Sequence, residues 1–488
     1  MKFNYPDDSI ALHTDTYELS MMQTYWKQGW KNRRAVFEAF FRKMPFENGY
    51  AIFAGLDHII RYLKKLHFTE SDLEYLRSTG QFDPEFLEYL RNFKFTGSLR
   101  SFEEGELVFN HEPIIQVDAP MLEGQLIETA LLNIINYQIM IATKASRIKS
   151  VVGDQPVMEF GTRRAQEFDA SVWGTRAAYI GGFDSTSNVR AGKLFGIPIT
   201  GTHAHALVQA YMNDYDAFKA YAETHDNCVF LVDTYDTLKS GVPAAIKVAK
   251  EFGDKINFLG VRIDSGDMAY LSKQVRKMLD EAGFKDAKIY ASNGLDEKTI
   301  LNLKMQGAKI DVWGIGTKLI TAYDQPTLGA VYKLVSFENE QGKMVDTIKL
   351  SNNVSKMSTP GKKQVWRIND NSDGKSEGDY ITLIGEDPRQ QETLNMFNPN
   401  FPLQQKDVTD FKAQPMLKEI WRDGEFVYQE PKLKEIRKRR QENLDALWDE
   451  YKRDLNPEVY PVDLSPECYN NKQNMIHQIH QYVKSLNN

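Results

Sequence analysis

The chain has 488 residues, of which 42% are hydrophobic and 26% are charged, a composition typical of globular proteins with a sizeable core. Its 67 acidic residues outnumber its 60 basic residues, and the net charge of −7 argues against a protein that follows the phosphate backbone of a nucleic acid. Two cysteines, Cys228 and Cys468, are too few for a disulfide framework or a thiolate metal cage. Such sparse cysteine usage is typical of the reducing cytosol.

Neither the start of the chain nor its most apolar stretch indicates insertion into a membrane. The first residues, MKFNYPDDSIALHTD, lack the apolar core of a signal peptide. The most apolar stretch, residues 131–142, contains three amide side chains and is shorter than a membrane-spanning helix requires. We therefore expect a cytoplasmic protein without a membrane partner.

The first 150 residues combine strand-like and helical patterns. Apolar, β-branched and aromatic residues predict strands at 35–42 and 113–120, and a long helix from about residue 125 to residue 150 follows. We therefore predict an α+β domain over residues 1–150.

The central region, residues 151–345, has a regular alternation of short apolar runs and amphipathic stretches. Helical spacing of apolar residues predicts helices at 237–252, 267–283 and 295–308. The runs read as strands and lie at 157–161, 197–201, 227–233, 256–264, 288–294 and 309–316.

The last three strand ends before residue 300 follow one another at intervals of about 30 residues, the length of a βαβ unit. Such units pair their strands in parallel through right-handed crossovers. Six runs favour a (β/α) barrel over an open doubly wound sheet, so the predicted fold class is α/β with a barrel-like central domain.

Charged, hydroxyl and glycine residues gather directly after these runs. In a parallel barrel the loops after the strands form one face, and that face carries the chemistry. Arginine, aspartate and histidine at successive strand ends exceed ordinary turn composition, which favours Asn, Gly, Pro and Ser. These loops contain FGTRR (160–164), GTHAH (201–205), VDTYD (232–236), RIDSGD (262–267), SNG (292–294) and GIGT (314–317).

The last region, residues 346–488, is more polar and glycine-rich, with loops expected near 351–378 and helices at 433–455 and 471–486. The basic segment at 436–441 is followed by acidic residues, which favours a solvated amphipathic helix over a nucleic-acid contact. His477 and His480 have no third ligand nearby in the sequence and are interpreted as surface residues. We predict a region of helices and loops.

Two glycine turns at successive strand ends predict a phosphate site. Gly314 and Gly316 lack a Cβ atom and allow backbone N–H groups to approach an anion near Thr317. Gly294 lies at the preceding strand end, and barrels often bind phosphate with their last two strand loops. The chain has no GxxxxGK[ST] phosphate loop, and ligand-free tight turns are the alternative interpretation.

The pair His203 and His205 raises the possibility of a metal-dependent amidohydrolase, whose metal cage needs histidines on later strands. The strands predicted at 256–264, 288–294 and 309–316 contain none, which argues against that class. One imidazole of the pair is better interpreted as a nucleophile or proton carrier, oriented by a carboxylate such as Asp233.

The segment RIDSGD combines an arginine with two carboxylates. Arg262 has the two-pronged geometry that holds a carboxylate or phosphate. Asp264 and Asp267 are suited to positioning a magnesium-bound polyphosphate or to stabilising a developing cation. Structural ion pairing is the alternative interpretation.

These motifs, in this order, resemble the nicotinate phosphoribosyltransferase family over essentially the whole chain. The resemblance implies formation of nicotinate mononucleotide and pyrophosphate from nicotinate and 5-phosphoribosyl 1-pyrophosphate, the first step of NAD salvage from nicotinate. It also implies ATP hydrolysis through a phosphohistidine, Mg²⁺ held mainly by substrate phosphates, and a homodimer with shared active sites. The matching segments are HTDTYELSM (13–21), FGTRRAQ (160–166), GGFDSTSN (181–188), GTHAH (201–205), RIDSGD (262–267) and GIGT (314–317).

The resemblance also implies roles for single residues. His205 resembles the phosphorylated histidine, although His203 stands where an apolar residue is expected and leaves a second imidazole to be considered. Tyr17 resembles an aromatic residue that a partner subunit stacks on the nicotinate ring opposite Phe160, and Thr202 and Arg262 resemble further nicotinate contacts. The residues that resemble the family's contacts to the ribosyl phosphate and pyrophosphate are Arg163, Asp184, Asp264, Gly294, Gly316 and Thr317.

Two alternatives stay open at this point. Nicotinamide phosphoribosyltransferase has the same barrel and histidine, and a single contact from Arg262 to a carboxylate would favour nicotinate without excluding the amide. A non-catalytic phosphate-binding barrel, serving as a nucleotide sensor or scaffold, would bind ligands without releasing pyrophosphate. The presence of Tyr17, His205, Arg262 and Asp264 favours an enzyme.

Overall fold

The computed structural model describes residues 10–351 and 356–486. Its strands are β1 (Arg34–Phe41), β2 (Ala51–Ile52), β3 (Ser98–Ser101), β4 (Leu107–Val108), β5 (Ile115–Pro120), β6 (Val157–Glu159), β7 (Ser185–Thr186), β8 (Asn227–Leu231), β9 (Asn257–Ile263), β10 (Lys288–Ser292), β11 (Val312–Ile315), β12 (Ala330–Glu338), β13 (Met344–Asp346), β14 (Lys363–Asp370), β15 (Ser376–Leu383), β16 (Thr393–Phe397), β17 (Gln405–Thr409), β18 (Phe411–Pro415), β19 (Lys418–Arg422), β20 (Glu425–Phe426) and β21 (Val462–Leu464).

The helices begin and end close to their capping residues. They are α1 (Thr16–Lys27), α2 (Leu56–Lys65), α3 (Glu70–Ser78), α4 (Pro84–Arg91), α5 (Met121–Leu126), α6 (Glu128–Val152), α7 (Glu167–Ile180), α8 (Val189–Phe195), α9 (His205–Tyr211), α10 (Asp214–Ala222), α11 (Val242–Phe252), α12 (Met268–Glu281), α13 (Glu297–Met305), α14 (Thr317–Ile320), α15 (Leu433–Ala446) and α16 (Pro466–Ser485).

The chain forms two compact units. One contains the described residues up to 140 and from 327 onward, and the other contains residues 141–326. The division into three domains at residues 150 and 345 stays a prediction.

The first unit is built on a seven-stranded sheet with the order β13-β12-β1-β5-β3-β19-β20. Strand β1 lies antiparallel to both β5 and β12, and nearly all its residues are buried because both faces of the sheet are covered. The strands predicted at 35–42 and 113–120 are confirmed as β1 and β5. Since β19 pairs with β3, the sheet draws strands from both ends of the chain.

The region near 351–378, predicted as loops, contains β14 and the start of β15, and that prediction is wrong there. These strands belong to a four-stranded sheet with the order β18-β14-β15-β21. The strand pattern is masked by Arg367, which lies buried in β14. Its guanidinium donates hydrogen bonds to both carboxylate oxygens of Asp379, at 2.9 and 2.8 Å. This cross-strand pair allows a charged side chain inside the sheet.

The second unit contains a six-stranded parallel sheet with the order β7-β6-β11-β10-β9-β8, curved as a half-barrel. The α/β class is therefore confirmed. The helices predicted at 267–283 and 295–308 are α12 and α13, and the one predicted at 237–252 is a π-helical turn followed by α11. The run at 197–201 makes only one bridge, between Ile199 and Thr186 of β7.

Helices α10 to α12 cover β8, β9 and β10 and form the core of this unit. The side chains of Phe218, Phe230, Val261, Leu279 and Ile289 are almost fully buried there. Removing apolar side chains from water stabilises the layers by roughly 1.5–3 kcal/mol for each large residue. Because the strands are parallel, their carboxyl ends all open at one face.

The stretch from residue 121 to residue 152 is long and apolar enough to cross a membrane by length and composition alone. The length expected from residues 131–142 alone is therefore too small, because the helical segment 121–152 extends beyond that stretch on both sides. Within its most apolar window, 67% of the residues are buried inside the protein. That burial is the property of a core helix.

Candidate active site

A cleft of about 370 Å³ opens at the carboxyl ends of the parallel strands in the second unit. Its walls come from the loops after β6, β7, β9, β10 and β11 and from the segment 201–204. Of the residues singled out in the sequence, the structure brings together at this cleft Phe160, Arg163, Thr202, Arg262, Asp264, Gly294, Gly316 and Thr317.

Phe160 is positioned by two glycines on the neighbouring strand. A Cβ atom at Gly314 would lie 2.7 Å from the Phe160 ring, and one at Gly316 would lie 2.6 Å from the Phe160 carbonyl oxygen. Both contacts are too close for any larger residue. The two glycines therefore make room for Phe160, in addition to the phosphate approach expected from the sequence, and α14 after them is only four residues long.

Glu159, which was not predicted as a site residue, fixes the loop that follows Phe160. The carboxylate is buried and accepts hydrogen bonds from the Gly161 backbone N–H and from the hydroxyls of Thr175 (2.9 Å) and Thr186 (2.6 Å). Burial raises the pKa of Glu159 above its ordinary value. A strand-end glutamate surrounded by hydroxyl-rich segments was the available signal.

Arg262 presents a largely buried cation to the cleft. Its Nη1 donates to Thr202 Oγ1 at 2.6 Å, whereas Nε is buried and has no hydrogen-bond partner within the described part of the chain. Burial lowers the pKa of Arg262, and the carboxylates of Asp264 and Asp233 partly oppose that shift. A buried donor without a partner is costly, so the site is suited to an anionic ligand.

Asp264 is held by contacts from both neighbouring strand ends. Its backbone N–H donates to Asp233 Oδ2 at 3.0 Å, and its carboxylate accepts a hydrogen bond from Ser292. Asn293 Nδ2 donates to the Asp264 carbonyl oxygen at 3.1 Å. These bonds fix the RIDSGD loop between the ends of β8 and β10.

His205 begins α9 beside the cleft, with 38% of its side chain exposed. Its Nδ1 lies 3.0 Å from Thr234 Oγ1, and its Nε2 lies 3.8 Å from Asp264 Oδ2. Asp233 was expected to orient this imidazole, but its Oδ2 is bonded to the Asp264 loop instead. Thr234, the next residue in the chain, has the orienting position.

His203 differs from His205 in its burial and in its hydrogen bonding. Only 8% of it is exposed, and its Nε2 accepts a hydrogen bond from the Leu231 backbone N–H at 3.2 Å. Its ring packs against Phe218 and Tyr221, with ring centroids 5.6 and 5.1 Å away. Burial lowers its pKa to about 4. His203 is therefore a neutral core residue, and His205 is the accessible imidazole.

The two loops that carry Gly294 and Thr317 are tied together by an ion pair. Asp296 is buried and accepts hydrogen bonds from Lys318 Nζ at 2.7 Å and from Tyr323 Oη at 2.8 Å. Asn293 and Gly294 both have positive φ, 80° and 68°, which turns the chain sharply after β10. The ion pair therefore fixes the two glycine turns relative to each other.

Four of the predicted residues are not among those that line the cleft: His205, Asp233, Asp184 and Tyr17. Asp184 accepts a hydrogen bond from the Val157 N–H at 3.0 Å, at the start of β6 and thus at the opposite end of that strand from Phe160. Asp184 therefore supports the sheet rather than the cleft, which corrects the expectation. Tyr17 lies in α1 of the other unit with 49% of its surface exposed, and burial together with Glu128 and Glu18 raises its pKa.

Within residues 10–351 and 356–486, the structure has no cluster of three or more His, Cys, Asp or Glu side chains arranged to hold a metal ion. Beside the cleft, Asp233 holds the Asp264 loop with its Oδ2, and its buried Oδ1 accepts no hydrogen bond from any described residue. Oxygen atoms of this kind are the ligands that Mg²⁺ prefers.

Together these groups can bind a flat anionic ring and a phosphorylated sugar beside a nucleophile. Phe160 offers an aromatic face, Arg163 and Arg262 offer positive charge, and Asp264 offers negative charge where a cation develops. His205 supplies an accessible imidazole nitrogen.

Three family models match the chain: the nicotinate phosphoribosyltransferase N-terminal domain over residues 12–136, the family itself over residues 156–392, and its C-terminal domain over residues 362–472. The chain is 60% identical to nicotinate phosphoribosyltransferase of Bacillus subtilis strain 168, over 99% of both chains. It is 35% identical to nicotinate phosphoribosyltransferase 1 of Arabidopsis thaliana, over 94% of this chain and 92% of that one.

Solved structures agree with the sequence comparisons. The crystal structure of human nicotinic acid phosphoribosyltransferase matches with a TM-score of 0.84 and 29% identity, over 95% of this chain and 99% of that one. The structure of nicotinate-nucleotide pyrophosphorylase from Pyrococcus furiosus matches with a TM-score of 0.70, 23% identity, and coverage of 91% and 99%. The second similarity concerns the fold alone.

The low pKa of His203 predicts a loss of stability in acid. Below its ordinary pKa of 6.5 the unfolded chain binds a proton at His203, whereas the folded chain does so only near pH 4. Stability is therefore lost as the pH falls from 6.5 to 4, by about 3 kcal/mol from this group. Urea unfolding at pH 7, 5.5 and 4.5 measures it, and the decline should be shallower in His203→Phe. Equal declines in both proteins would contradict the assignment.

Proposed function

Because the chain belongs to the nicotinate phosphoribosyltransferase family, we propose that the cleft around Phe160, Arg262 and Asp264 is where it transfers the phosphoribosyl group to nicotinate. The observation that carries this placement is the convergence, at one set of strand ends, of an aromatic face, a buried guanidinium, a carboxylate and an accessible imidazole. The reaction joins nicotinate to 5-phosphoribosyl 1-pyrophosphate, releases pyrophosphate and begins NAD salvage from nicotinate.

Nicotinate is assigned to the space between Phe160 and Arg262. The pyridine ring lies against the aromatic face, and the carboxylate accepts hydrogen bonds from Arg262, whose buried Nε has no partner among the described residues. Thr202 is held by Arg262 Nη1 and lies beside the same group. An anionic substrate thereby completes the hydrogen bonding of a buried cation.

The phosphoribosyl group is assigned to the rim formed by Arg163, Gly294, Gly316 and Thr317. As the ring nitrogen of nicotinate forms its bond to the anomeric carbon, the bond from that carbon to the pyrophosphate oxygen breaks and pyrophosphate leaves with the electron pair. The ribose carries positive charge in the transition state, and Asp264 stabilises that charge electrostatically.

ATP is assigned to His205 as a co-substrate. With the Nδ1 proton facing Thr234, the lone pair on Nε2 attacks the γ-phosphorus, the bond to the bridging oxygen breaks, and ADP leaves. Water later breaks the P–N bond and releases phosphate. We infer that the phosphorylated imidazole favours the substrate-bound site, which couples ATP hydrolysis to product formation.

Magnesium is assigned mainly to the substrate phosphates. The unpartnered Oδ1 of Asp233 and the carboxylate of Asp264 are the protein oxygens that would complete its coordination. When bound, the ion neutralises the charge on the departing pyrophosphate.

Three broader assignments go with this function. The half-barrel sheet is proposed to be part of a (β/α) barrel that closes between residue 199 and β8. The protein is proposed to be a cytoplasmic homodimer in which a second copy supplies Tyr17 to the nicotinate site. The exposed tyrosine ring on α1 supports that position.

The activity is tested by pyrophosphate release with nicotinate, nicotinamide or quinolinate, each with and without ATP. We expect release with nicotinate that rises when ATP is present. Equal kcat/KM for nicotinate and nicotinamide would refute the preference for the acid, a higher value for nicotinamide would indicate the amide-specific relative, and ligand binding without pyrophosphate release would indicate a sensor.

Replacing His205 with alanine should abolish phosphoryl transfer from γ-labelled ATP, because His203, the other imidazole among the described residues of the cleft, has both ring nitrogens within hydrogen-bond distance of backbone groups. His477→Ala, which removes an exposed histidine on α16, is the control and should take up label normally. Label should persist in His203→Gln. Label that persists in His205→Ala would refute the assignment.

Arg262 should set the preference for the acid over the amide. A charge-assisted hydrogen bond of about 1.5–3 kcal/mol corresponds to roughly 10- to 150-fold in kcat/KM. Arg262→Gln should bring the ratio for nicotinate over nicotinamide close to one, whereas Arg262→Lys, which keeps the charge without the fork, should retain part of it. An unchanged ratio in Arg262→Gln would place the carboxylate elsewhere.

Shared active sites predict complementation between inactive chains. Tyr17→Ala and His205→Ala should each lack ATP-stimulated pyrophosphate release as pure proteins, because each lacks a group that every site needs for it. Mixing the two after subunit exchange should restore activity, since one site of each mixed dimer then has both residues. A mixture that stays inactive while mass spectrometry shows mixed dimers would place Tyr17 in its own subunit's site.

A further inference from the structure

Strand β8 is the last strand of the parallel sheet, and one side of it is open. On its inner side the Val232 N–H donates to the Arg262 carbonyl oxygen of β9 at 3.1 Å. Successive residues of a parallel strand direct their N–H groups to opposite sides. The Leu231 N–H, one residue earlier, therefore points away from β9 toward the open side.

The opposite edge of the sheet ends in the segment 198–200. Thr186 of β7 donates its N–H to the Pro198 carbonyl oxygen at 3.0 Å, and the Thr200 N–H donates to the Thr186 carbonyl oxygen at 2.9 Å. The chain then leaves β7 and passes through residues 201–205 along the cleft. Residues 201–205 thus connect the β7 edge of the sheet to the neighbourhood of the β8 edge.

His203 bridges the two edges with its side chain. Its Nε2 accepts the Leu231 N–H at 3.2 Å, so the neutral ring must carry its proton on Nδ1, which lies 3.4 Å from the Ala204 carbonyl oxygen. The imidazole thus takes the place of a backbone carbonyl in a strand ladder.

The ring is held in this position by two aromatic side chains of α10. Phe218 and Tyr221 of α10 pack against it, and Tyr221 in turn stacks on His225 with the ring planes 7° apart and centroids 3.9 Å apart. An imidazole fixed by packing and by a backbone donor has little freedom to swing into the cleft.

The same short segment carries two groups of the cleft. Thr202 donates its hydroxyl proton to the His203 carbonyl oxygen at 3.1 Å while accepting from Arg262. His205 follows two residues later, at the start of α9. Any movement of His203 therefore displaces Thr202, the proposed nicotinate contact, and His205, the proposed phosphate acceptor.

We propose that His203 is a positioning residue that joins the two edges of the parallel sheet through its bond to Leu231 and thereby fixes Thr202 and His205. This inference rests on the proposed function for its consequences in catalysis, but the bond itself stands on the geometry of the sheet. An apolar side chain, which the family resemblance led us to expect here, would leave the Leu231 N–H without this acceptor.

Two variants separate hydrogen bonding from packing. His203→Phe keeps an aromatic ring between Phe218 and Tyr221 but removes the acceptor, whereas His203→Gln supplies a carbonyl oxygen close to the position of Nε2. Urea unfolding of both full-length proteins establishes that they are folded before any comparison.

The direct readout is hydrogen–deuterium exchange at the Leu231 amide, followed by mass spectrometry with fragmentation. Loss of a buried acceptor should accelerate exchange there by about 5- to 150-fold in His203→Phe. His203→Gln should restore most of the protection, and the Val232 amide, bonded to β9, serves as the internal control. Unchanged exchange at Leu231 in folded His203→Phe would overturn the proposal.

The functional readouts are the rate of label transfer from γ-labelled ATP and the KM for nicotinate. We expect His203→Phe to slow labelling and to raise KM, and His203→Gln to recover both. Faster exchange at Leu231 with normal labelling and KM would overturn the positioning role. If the parent protein neither takes up label nor releases pyrophosphate, the proposed function fails, whereas the exchange result still decides the bond.

Discussion

The cleft is organised around a cation that the fold buries without fully satisfying. Arg262 lies near the carboxyl end of β9, where its backbone pairs with β8 on one side and β10 on the other. Its side chain holds Thr202, and its Nε is left without a partner among the described residues. Leaving a buried charged donor unpaired costs free energy, so an anionic ligand in contact with the guanidinium is favoured at this site. The buried guanidinium of Arg262 therefore favours an anionic ligand over a neutral one at this cleft.

The elements around Arg262 restrict where that anion can lie. Two glycines of β11 and its following loop admit Phe160 at a distance that no other residue would permit, so the aromatic face is fixed by the absence of side chains opposite it. The Asp296–Lys318 ion pair fixes the glycine turns that follow β10 and β11. Rigid placement of this kind reduces the ordering cost of binding and favours the transition state over loosely bound substrate.

The sequence predicted the parts of this arrangement that depend on periodicity. Strand ends recur with the βαβ interval, and the chemistry-bearing residues Arg262, Asp264, Thr202 and Phe160 follow from them because parallel strands share one open face. Asp184 misled because β7 is two residues long and hidden in a turn-like segment, so its motif could not be assigned to an end of the sheet. Thr234 was missed because a hydroxyl beside two aspartates carries no distinguishing pattern of its own. In the last region, Arg367 concealed β14, since its buried partner Asp379 is on another strand.

The two histidines of the GTHAH segment show how far local sequence can mislead about chemistry. They lie two residues apart, yet one is neutral, buried and bonded to a backbone donor, while the other faces solvent at the start of a helix. Spacing cannot distinguish them, because the difference comes from β8 and α10, which are contributed by later parts of the chain. An imidazole that must accept a backbone hydrogen bond has to stay unprotonated, and burial ensures that. An imidazole that accepts a phosphoryl group, the role proposed for His205, needs a free nitrogen and room for the incoming group, and exposure provides both. On that proposal, the two histidines of the segment meet opposite physical requirements.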